Sequence, residues 1–181
     1  MDVFIDTDFL SSLLWSKRSN LLSKVYPNDS FFIPPFTRSE LFDNDANLSE
    51  IRNQYHVDIV NGYYSETTDK QADLSTLQLT IKMNTYGVDG FPSVGRGEAQ
   101  AFAYAVHNKG AVASNNLRDI KQYTTRYKIP LITTSDFIFD AYDQSIITET
   151  EAEDIWKCLI QHKRIMPNQT FKEYLEDKKN A

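Results

Sequence analysis

Four carboxylate side chains follow predicted strands by only a few residues: Asp6, Glu40, Asp119 and Asp136. In open parallel α/β sheets, functional groups collect at the carboxyl ends of the strands. If these strands are parallel, their following turns share one edge, and neighbouring carboxylates there raise each other's pKa. A hard cation such as Mg²⁺ or Mn²⁺ relieves that repulsion and prefers oxygen ligands. The pattern therefore predicts a divalent-metal site that can activate water for attack on a phosphodiester.

Each of these acids also has an ordinary structural explanation. Asp6 suits the N-cap of the helix that follows the first strand, and Asp8 suits that helix's first turn. Thr37 and Glu40 match the capping-box pattern, and Glu98 is a first-turn acid next to a helix dipole. Similar local roles fit the remaining polar residues, with Asn116 as an N-cap, Asp119 as an early-turn acid and Asp136 behind a Ser or Thr cap. These interpretations stay open beside the metal site.

Short apolar runs alternate with segments of helical periodicity along the chain. Predicted strands cover residues 2–6, 31–33, 111–113 and 129–132, and predicted helices cover 8–18, 36–41, 72–86, 98–108, 117–127, 136–142, 149–162 and 169–178. Thr148 and Glu151 form a capping box for the helix at 149–162. The polar stretch 43–70 resists assignment, although part of 48–60 has helical character. This alternation predicts an α/β fold with a parallel sheet.

Composition limits the class of protein. The 181 residues suit one domain, predicted as 1–181 with a core at about 1–145 and a helical extension at about 146–181. A net charge of −6 argues against a protein that coats nucleic acid, but not against a nuclease, since bound cations neutralise an acidic pocket. One cysteine, no long apolar run and an opening strand in place of a signal peptide predict a cytoplasmic protein with no membrane segment.

The chain resembles the PIN-domain family of metal-dependent nucleases over about residues 1–140. The matching segments are, in order, 3–7, 39–41, 97–101 and 113–119, with the strand at 129–132 following at a fitting distance. The resemblance implies a three-layer α/β/α fold with a central parallel sheet. It also implies an acidic pocket for one or two Mg²⁺ or Mn²⁺ ions and the cleavage of RNA, often as the toxin of a toxin–antitoxin pair.

The resemblance assigns roles to particular residues. Asp6, Glu40 and Glu98 match the first three metal-binding acids of the family. The fourth acid aligns with Asn116, which is neutral here. Asp119, one helical turn further on, is the predicted replacement, and the Asn116 carbonyl oxygen is a further candidate ligand. We also assign contacts with the substrate to Thr7, Arg38, Ser114 and Asn115. The implied partners are single-stranded RNA, an antitoxin protein and a second copy of the chain in a homodimer.

Two other functions remain open from the residues alone. The first is a PIN-like binding module that keeps the fold without the activity, which the neutral Asn116 favours. The second is a phosphatase of the haloacid-dehalogenase type, whose opening DxD motif matches Asp6 and Asp8 and implies a covalent aspartyl intermediate. That motif expects Thr or Val where this chain has Leu10, and the sequence offers no clear later acidic pair.

Overall fold

The computed structural model describes residues 1–43, 49–68 and 71–180. Within these ranges, five parallel strands form one sheet in the order β3-β2-β1-β4-β5. The strands are β1 (Asp2–Ile5), β2 (Ser30–Ile33), β3 (Ser65–Glu66), β4 (Ala111–Ala113) and β5 (Leu131–Ile132). The predicted α/β fold with a central parallel sheet is confirmed.

Helices flank this sheet. Those before β4 are α1 (Thr7–Ser16), α2 (Leu22–Val25, preceded by a 3₁₀ turn at Ser19–Leu21), α3 (Pro35–Asp43), α4 (Ser49–Val60), α5 (Leu74–Thr85) and α6 (Arg96–Asn108). Those after it are α7 (Leu117–Tyr127), α8 (Thr134–Asp143), α9 (Glu149–Gln161) and α10 (Phe171–Asn180). None of the helices in the described ranges combines the length and apolar content that a bilayer span requires.

The two faces of the sheet carry separate apolar clusters, as the strand period of two residues requires. Val3 and Ile5 face one cluster, which includes Phe9 of α1 and Trp156 of α9. Phe4 faces the other cluster, which includes side chains from α5, α6 and α7, namely Met83, Phe102 and Tyr123. Helices therefore cover both faces, and the predicted three-layer arrangement is confirmed.

The polar stretch 43–70 contains the main elements that the sequence did not define. It holds α4 and the edge strand β3, whose two residues are both exposed. β3 lacks the apolar run that marks a strand, so periodicity gives no signal for it. Residues 44–48 and 69–70, which belong to the same stretch, lie outside the described residues. The last strand, β5, is also shorter than the predicted 129–132.

The starts of α3 and α6 differ from the prediction, whereas the start of α9 agrees with it. The capping box at Thr148 and Glu151 is confirmed, with reciprocal side-chain-to-backbone hydrogen bonds of 2.8 and 3.2 Å.

The box proposed for Thr37 and Glu40 is wrong, because α3 begins at Pro35 and both residues lie inside it. The Thr37 hydroxyl instead donates to the carbonyl of Ile5 (3.0 Å). α6 begins two residues before Glu98, which places that acid in the third helical position.

The C-terminal helices pack into the same apolar cluster as α1 and β1. Trp156 of α9 is completely buried, and its ring lies 5.6 Å from that of Phe171 and 5.2 Å from that of Tyr174. Its Nε1–H donates to the carbonyl of Asn168, in the loop before α10 (3.0 Å). Trp156 therefore joins α9, the following loop and α10.

Replacing Trp156 with Ala tests the prediction of a single domain. We expect Trp156→Ala to lower the free energy of unfolding by about 3–5 kcal/mol, because it leaves a large cavity in a shared core. Urea unfolding followed by far-UV circular dichroism should show one transition at a lower midpoint. Lys172→Ala, at an exposed position on α10, is the matched control. Early loss of a minor helical signal with an unchanged main transition would contradict a single domain.

Candidate active site

Asp6 lies at the point where the strand order of the sheet reverses. From β1 the chain builds β2 and β3 on one side and then β4 and β5 on the other. Asp6 follows β1 directly, and its backbone N–H donates to the carbonyl of Ala113 at the end of β4 (3.0 Å). Its side chain caps α1 by accepting from the N–H of Phe9 (2.8 Å). The N-cap role is therefore real, and it fixes the carboxylate where such folds bind ligands.

The Asp6 carboxylate is buried beyond what its neighbours can compensate. The residue is 1% exposed, and burial raises its pKa from 3.8 to about 8. The Ser114 side chain and the Phe9 N–H lower that pKa in part, whereas the charges of Glu98 and Asp8 raise it. Its Oδ2 atom is buried and has no well-aligned hydrogen-bond donor among the described residues. Desolvation is therefore the largest contribution to the raised pKa of Asp6.

Glu98, Asn116 and Asp119 form the second part of the site. Glu98 is half-buried, and desolvation raises its pKa, while its contact with Asn116 lowers it and the charge of Asp119 raises it. Its Oε2 also accepts from the N–H of Gly95 (3.1 Å), which ties the carboxylate to the start of α6. Asn116 donates through Nδ2 to Oδ2 of Asp119 (2.9 Å) instead of capping α7. The neutral side chain thus lies between two acids.

Glu40 connects the first turns of α1 and α6. Its Oε1 accepts from the N–H of Gly97 (2.9 Å), and its Oε2 accepts from the hydroxyl of Thr7. Thr7 is the neighbour of Asp6, and Gly97 is the neighbour of Glu98. Glu40 therefore holds in register the two backbone segments that carry the other acids.

Ser114 and Asn115 lie on the same edge in supporting positions. Ser114 is almost fully buried, and its Oγ accepts from the N–H of Asn116 (3.2 Å). The Asn115 carbonyl oxygen accepts from the N–H of Thr134 (2.8 Å), and its amide donates to Ser12 Oγ (3.3 Å). Asn115 thus holds together α1 and the turns after β4 and β5.

Two other candidates have partners of their own. Arg38 pairs with Glu66 of β3 through Nε (2.8 Å) and lies over the ring of Phe42. Asp136 bonds to Thr133, to the Tyr174 hydroxyl and to Lys178 Nζ, the last at 3.0 Å. The charges of Arg38 and Asp136 are therefore matched by local partners.

Asp8 and Arg164 belong to the site although the sequence pattern assigned this role to neither. The charge of Asp8 raises the pKa of both Asp6 and Glu98. Arg164, in the loop between α9 and α10, donates to Asp8 Oδ1 through Nη1 (2.8 Å). Spacing alone places Asp8 near Asp6, but no local signal could reveal a partner 156 residues away in the chain.

The fit of this site to a divalent cation depends on its unsatisfied oxygen. Across the described ranges, no three carboxylate, His or Cys side chains stand close enough to hold a metal ion by themselves. Mg²⁺, however, keeps several of its waters and is commonly bound through one or two carboxylates. The buried Oδ2 of Asp6, beside Glu98, gives a cation such a ligand. The residues of the site are therefore suited to binding a divalent cation such as Mg²⁺.

Comparison with known proteins finds similarity at the level of the fold. No protein-family model and no curated protein matches the sequence. One similar solved structure is VapBC2 from Rickettsia felis bound to a DNA fragment from its promoter, with a TM-score of 0.53 and 12% identity. Another is VapBC-1 from nontypeable Haemophilus influenzae, with a TM-score of 0.50 and 16% identity. Each alignment covers 74% of this chain and 98% of the other chain.

The chain has a PIN-like fold. The predicted resemblance is confirmed at the level of architecture, including the parallel sheet and the flanking helices. Similarity at 12% and 16% sequence identity establishes the fold alone. Any inference about activity or metal use must therefore come from the residues described above.

Gly97 tests the link through Glu40. A Cβ atom there would lie 2.7 Å from Glu40 Oε2 and 2.8 Å from Thr7 Oγ1. We expect Gly97→Ala to lower stability by about 1–3 kcal/mol, since both side chains must move. Urea denaturation of Gly97→Ala, Glu40→Ala and the double variant measures the coupling. The two effects should be less than additive, because removing Glu40 eliminates one of the two clashes and frees the Thr7 side chain to rotate away from the other. Simple additivity would contradict the contact.

Asp6 predicts a pH dependence of stability in metal-free protein. Its pKa of about 8 in the folded state exceeds the 3.8 of an unperturbed carboxyl group, so the folded chain binds the proton more tightly. This contribution is complete below about pH 4 and is lost as the pH rises through 8. Asp6→Asn keeps a capping side chain but cannot ionise. In EDTA, the Tm of Asp6→Asn relative to that of the wild type should rise by about 10 °C between pH 5 and pH 8.

The exposed acid Asp154 on α9 supplies the control for that titration. Asp154→Asn should melt together with the wild-type protein at both pH values, because its carboxylate stays in water. A gap between Asp6→Asn and the wild type that does not change with pH would show that Asp6 ionises at no cost.

Proposed function

We propose that this chain is a PIN-type ribonuclease that hydrolyses RNA phosphodiesters with Mg²⁺ or Mn²⁺, and that it is the toxin of a toxin–antitoxin pair. The observation that carries the proposal is the Asp6 carboxylate at the switch point of the sheet. A buried acid with one unsatisfied oxygen, beside further acids, is costly in a protein without a compensating cation. Perturbed pKa values of this kind cluster at functional sites.

Asp6 and Glu98 would hold the cation. Asp119, Glu40 and the Asn116 carbonyl oxygen are the further ligands predicted from the sequence, but among the described residues the acids do not form a group of three close enough to share one ion. The bound cation would supply a water of lowered pKa and neutralise charge on the phosphate. Asp6 would release its proton to solvent on holding a cation, because a positive charge would offset the desolvation that keeps the carboxyl group protonated. Asn116 donates to Asp119 (2.9 Å), and its contact with Glu98 lowers the pKa that the charge of Asp119 raises.

Glu40 serves this arrangement as a positioning residue in the metal-free protein. It bonds to Thr7 and to the N–H of Gly97, so it fixes the relative position of the turns that carry Asp6 and Glu98. Catalysis depends on placing such groups to within fractions of an ångström. Ser114 and Asn115 support the same edge from the turn after β4.

An antitoxin partner is the second part of the proposal. The two similar solved structures described above are VapBC complexes, which pair a PIN-domain toxin with an antitoxin. We extend that pairing to this chain on the basis of the shared fold and the acidic site. Single-stranded RNA is the proposed substrate, because the strand must reach a buried carboxylate from a cleft.

A binding module without catalytic activity is the second candidate, and Asn116 favours it. The neutral amide replaces one charge of the predicted acidic set, and fewer charges weaken the attraction for a divalent cation. The phosphatase alternative receives less support. It needs Asp8 as an acid–base group, whereas Asp8 forms an ion pair with Arg164 at 2.8 Å.

RNA cleavage by purified protein tests the proposed function. We expect single-stranded RNA to be cut in Mn²⁺, with cleavage abolished by EDTA and reduced at least about 100-fold in Asp6→Asn. Gel analysis of end-labelled RNA measures the rates. Asp154→Asn, at an exposed acid outside the site, should cleave as the wild type does.

The proposed antitoxin partner is tested by a separate experiment. Co-expression with the product of an adjacent small gene should give a stable complex in which cleavage is suppressed.

Two outcomes of the cleavage experiment would contradict the proposed nuclease. Metal-dependent cleavage that persists unchanged in Asp6→Asn would place the activity elsewhere. A folded protein that binds RNA but never cuts it would favour the binding module.

A further inference from the structure

A cleft of about 980 Å³ opens beside the acidic site, and two parts of the chain line it. One end is formed by Asp8, Glu98, Asn116 and Asp119. Further lining residues come from the core, through α7, β5 and the start of α8. The remaining ones come from the segment 164–178, which contains the loop after α9 and most of α10. The C-terminal extension is therefore part of the cleft.

Polar contacts at both ends fix this second part of the lining. At the acidic end, Arg164 donates to Asp8 Oδ1 (2.8 Å), two residues from Asp6. At the far end, Lys178 lies 3.0 Å from Asp136 Oδ1, and the Tyr174 hydroxyl donates to the same oxygen (3.1 Å). These three contacts attach the extension to α1 and α8. The cleft is thus a built feature with two anchored walls.

The cleft surface carries apolar side chains that the protein core does not use. Ile165 is 91% exposed on the extension, and Leu117 is 44% exposed at the start of α7. Pro167 and Met166 also line the cleft, although Met166 is partly buried and packs against the core as well. Folding gains little from an isoleucine that stays in water. A flat apolar ligand group, such as a nucleobase, would gain from contact with it.

Cations lie on the core side of the same cleft. Arg118 is 94% exposed, and its Nε is 4.0 Å from Asp119 Oδ1, a weak surface pairing. Lys121, one turn further along α7, is exposed and makes no ion pair with any described residue. Both residues remain available to phosphate oxygens. Grooves that bind single strands combine such charges with surfaces that contact bases.

We infer that segment 164–178 forms the second wall of the substrate cleft, where single-stranded RNA lies with its phosphates along Arg118 and Lys121 and a base against Ile165. This inference rests on the proposed function and names how its substrate is held. A volume of about 980 Å³ accommodates a few nucleotides of one strand. Because Ile165 and Lys121 contact different parts of the nucleotide, their contributions to binding are separable.

RNA binding measured without cleavage tests this inference. Fluorescence anisotropy of a labelled ten-nucleotide RNA in EDTA gives the affinity in conditions where no metal-dependent cleavage proceeds. Ile165→Ser should weaken binding about tenfold with an unchanged salt dependence, since it removes an apolar contact. Lys121→Ala should reduce the slope of log K against log salt by about 0.7, the value for one phosphate on a single strand.

Matched controls separate these effects from general changes of the surface. Val60→Ser removes an apolar side chain that is 86% exposed on α4, and Lys172→Ala removes an exposed lysine on α10 that does not line the cleft. Both should bind RNA as the wild type does. Equal weakening by variants and controls, or wild-type affinity in both cleft variants, would overturn the inference.

The same measurements distinguish this inference from the proposed function. If the wild type binds RNA through Ile165 and Lys121 but does not cut it in Mn²⁺, the cleft assignment stands and the nuclease proposal fails. If the wild type cuts RNA while the cleft variants bind and cut normally, the cleft assignment alone fails. A wild-type protein with no RNA affinity also overturns it.

Discussion

The desolvation of one carboxylate, that of Asp6, is the constraint on which the rest of the site depends. β1 is the middle strand of the sheet, and its residues Val3, Phe4 and Ile5 are fully buried. Asp6, which directly follows this strand, is buried with it at 1% exposure. Burial raises the pKa of Asp6 to about 8 although the Ser114 side chain and the Phe9 N–H at the start of α1 both lower it, and Oδ2 has no well-aligned donor among the described residues. The fold thus maintains an acid that a cation would stabilise.

The elements that can be predicted from the sequence are those in which local chemistry and burial agree. The apolar runs of β1, β2 and β4 mark buried parallel strands, and their order places Asp6 and the turn containing Asn116 on one edge. β3 has no such signal, because its two exposed residues pair with β2 through the backbone alone. The capping role predicted for Glu40 is wrong, because a capping-box pattern inside a helix looks the same as one at its start. The pair formed by Arg164 and Asp8 depends on tertiary packing and leaves no local pattern.

The neutral side chain at position 116 changes the balance of charge at the site. Another carboxylate there would add repulsion to Glu98, whose pKa burial and the charges of Asp119 and Asp8 already raise. Asn116 lowers the Glu98 pKa by hydrogen bonding and donates to Asp119 at 2.9 Å. In the metal-free protein, ionised Glu98 therefore costs less folding free energy than it would beside a carboxylate at position 116. A neutral side chain at this position also presents one unit less of negative charge to a cation than a carboxylate would.

The C-terminal extension receives its strength and its placement from different interactions. Trp156, Phe171 and Tyr174 bury it in the core shared with α1, and packing of this kind supplies most of the stabilisation. The ion pair of Arg164 with Asp8 is partly exposed, at 27% and 44%, and such pairs contribute little net free energy. Its effect is geometric, because it orients the loop that carries Ile165 toward the acidic end of the cleft. Substitutions at Trp156 and at Arg164 therefore act on separate properties, the first on folding and the second on the shape of the cleft.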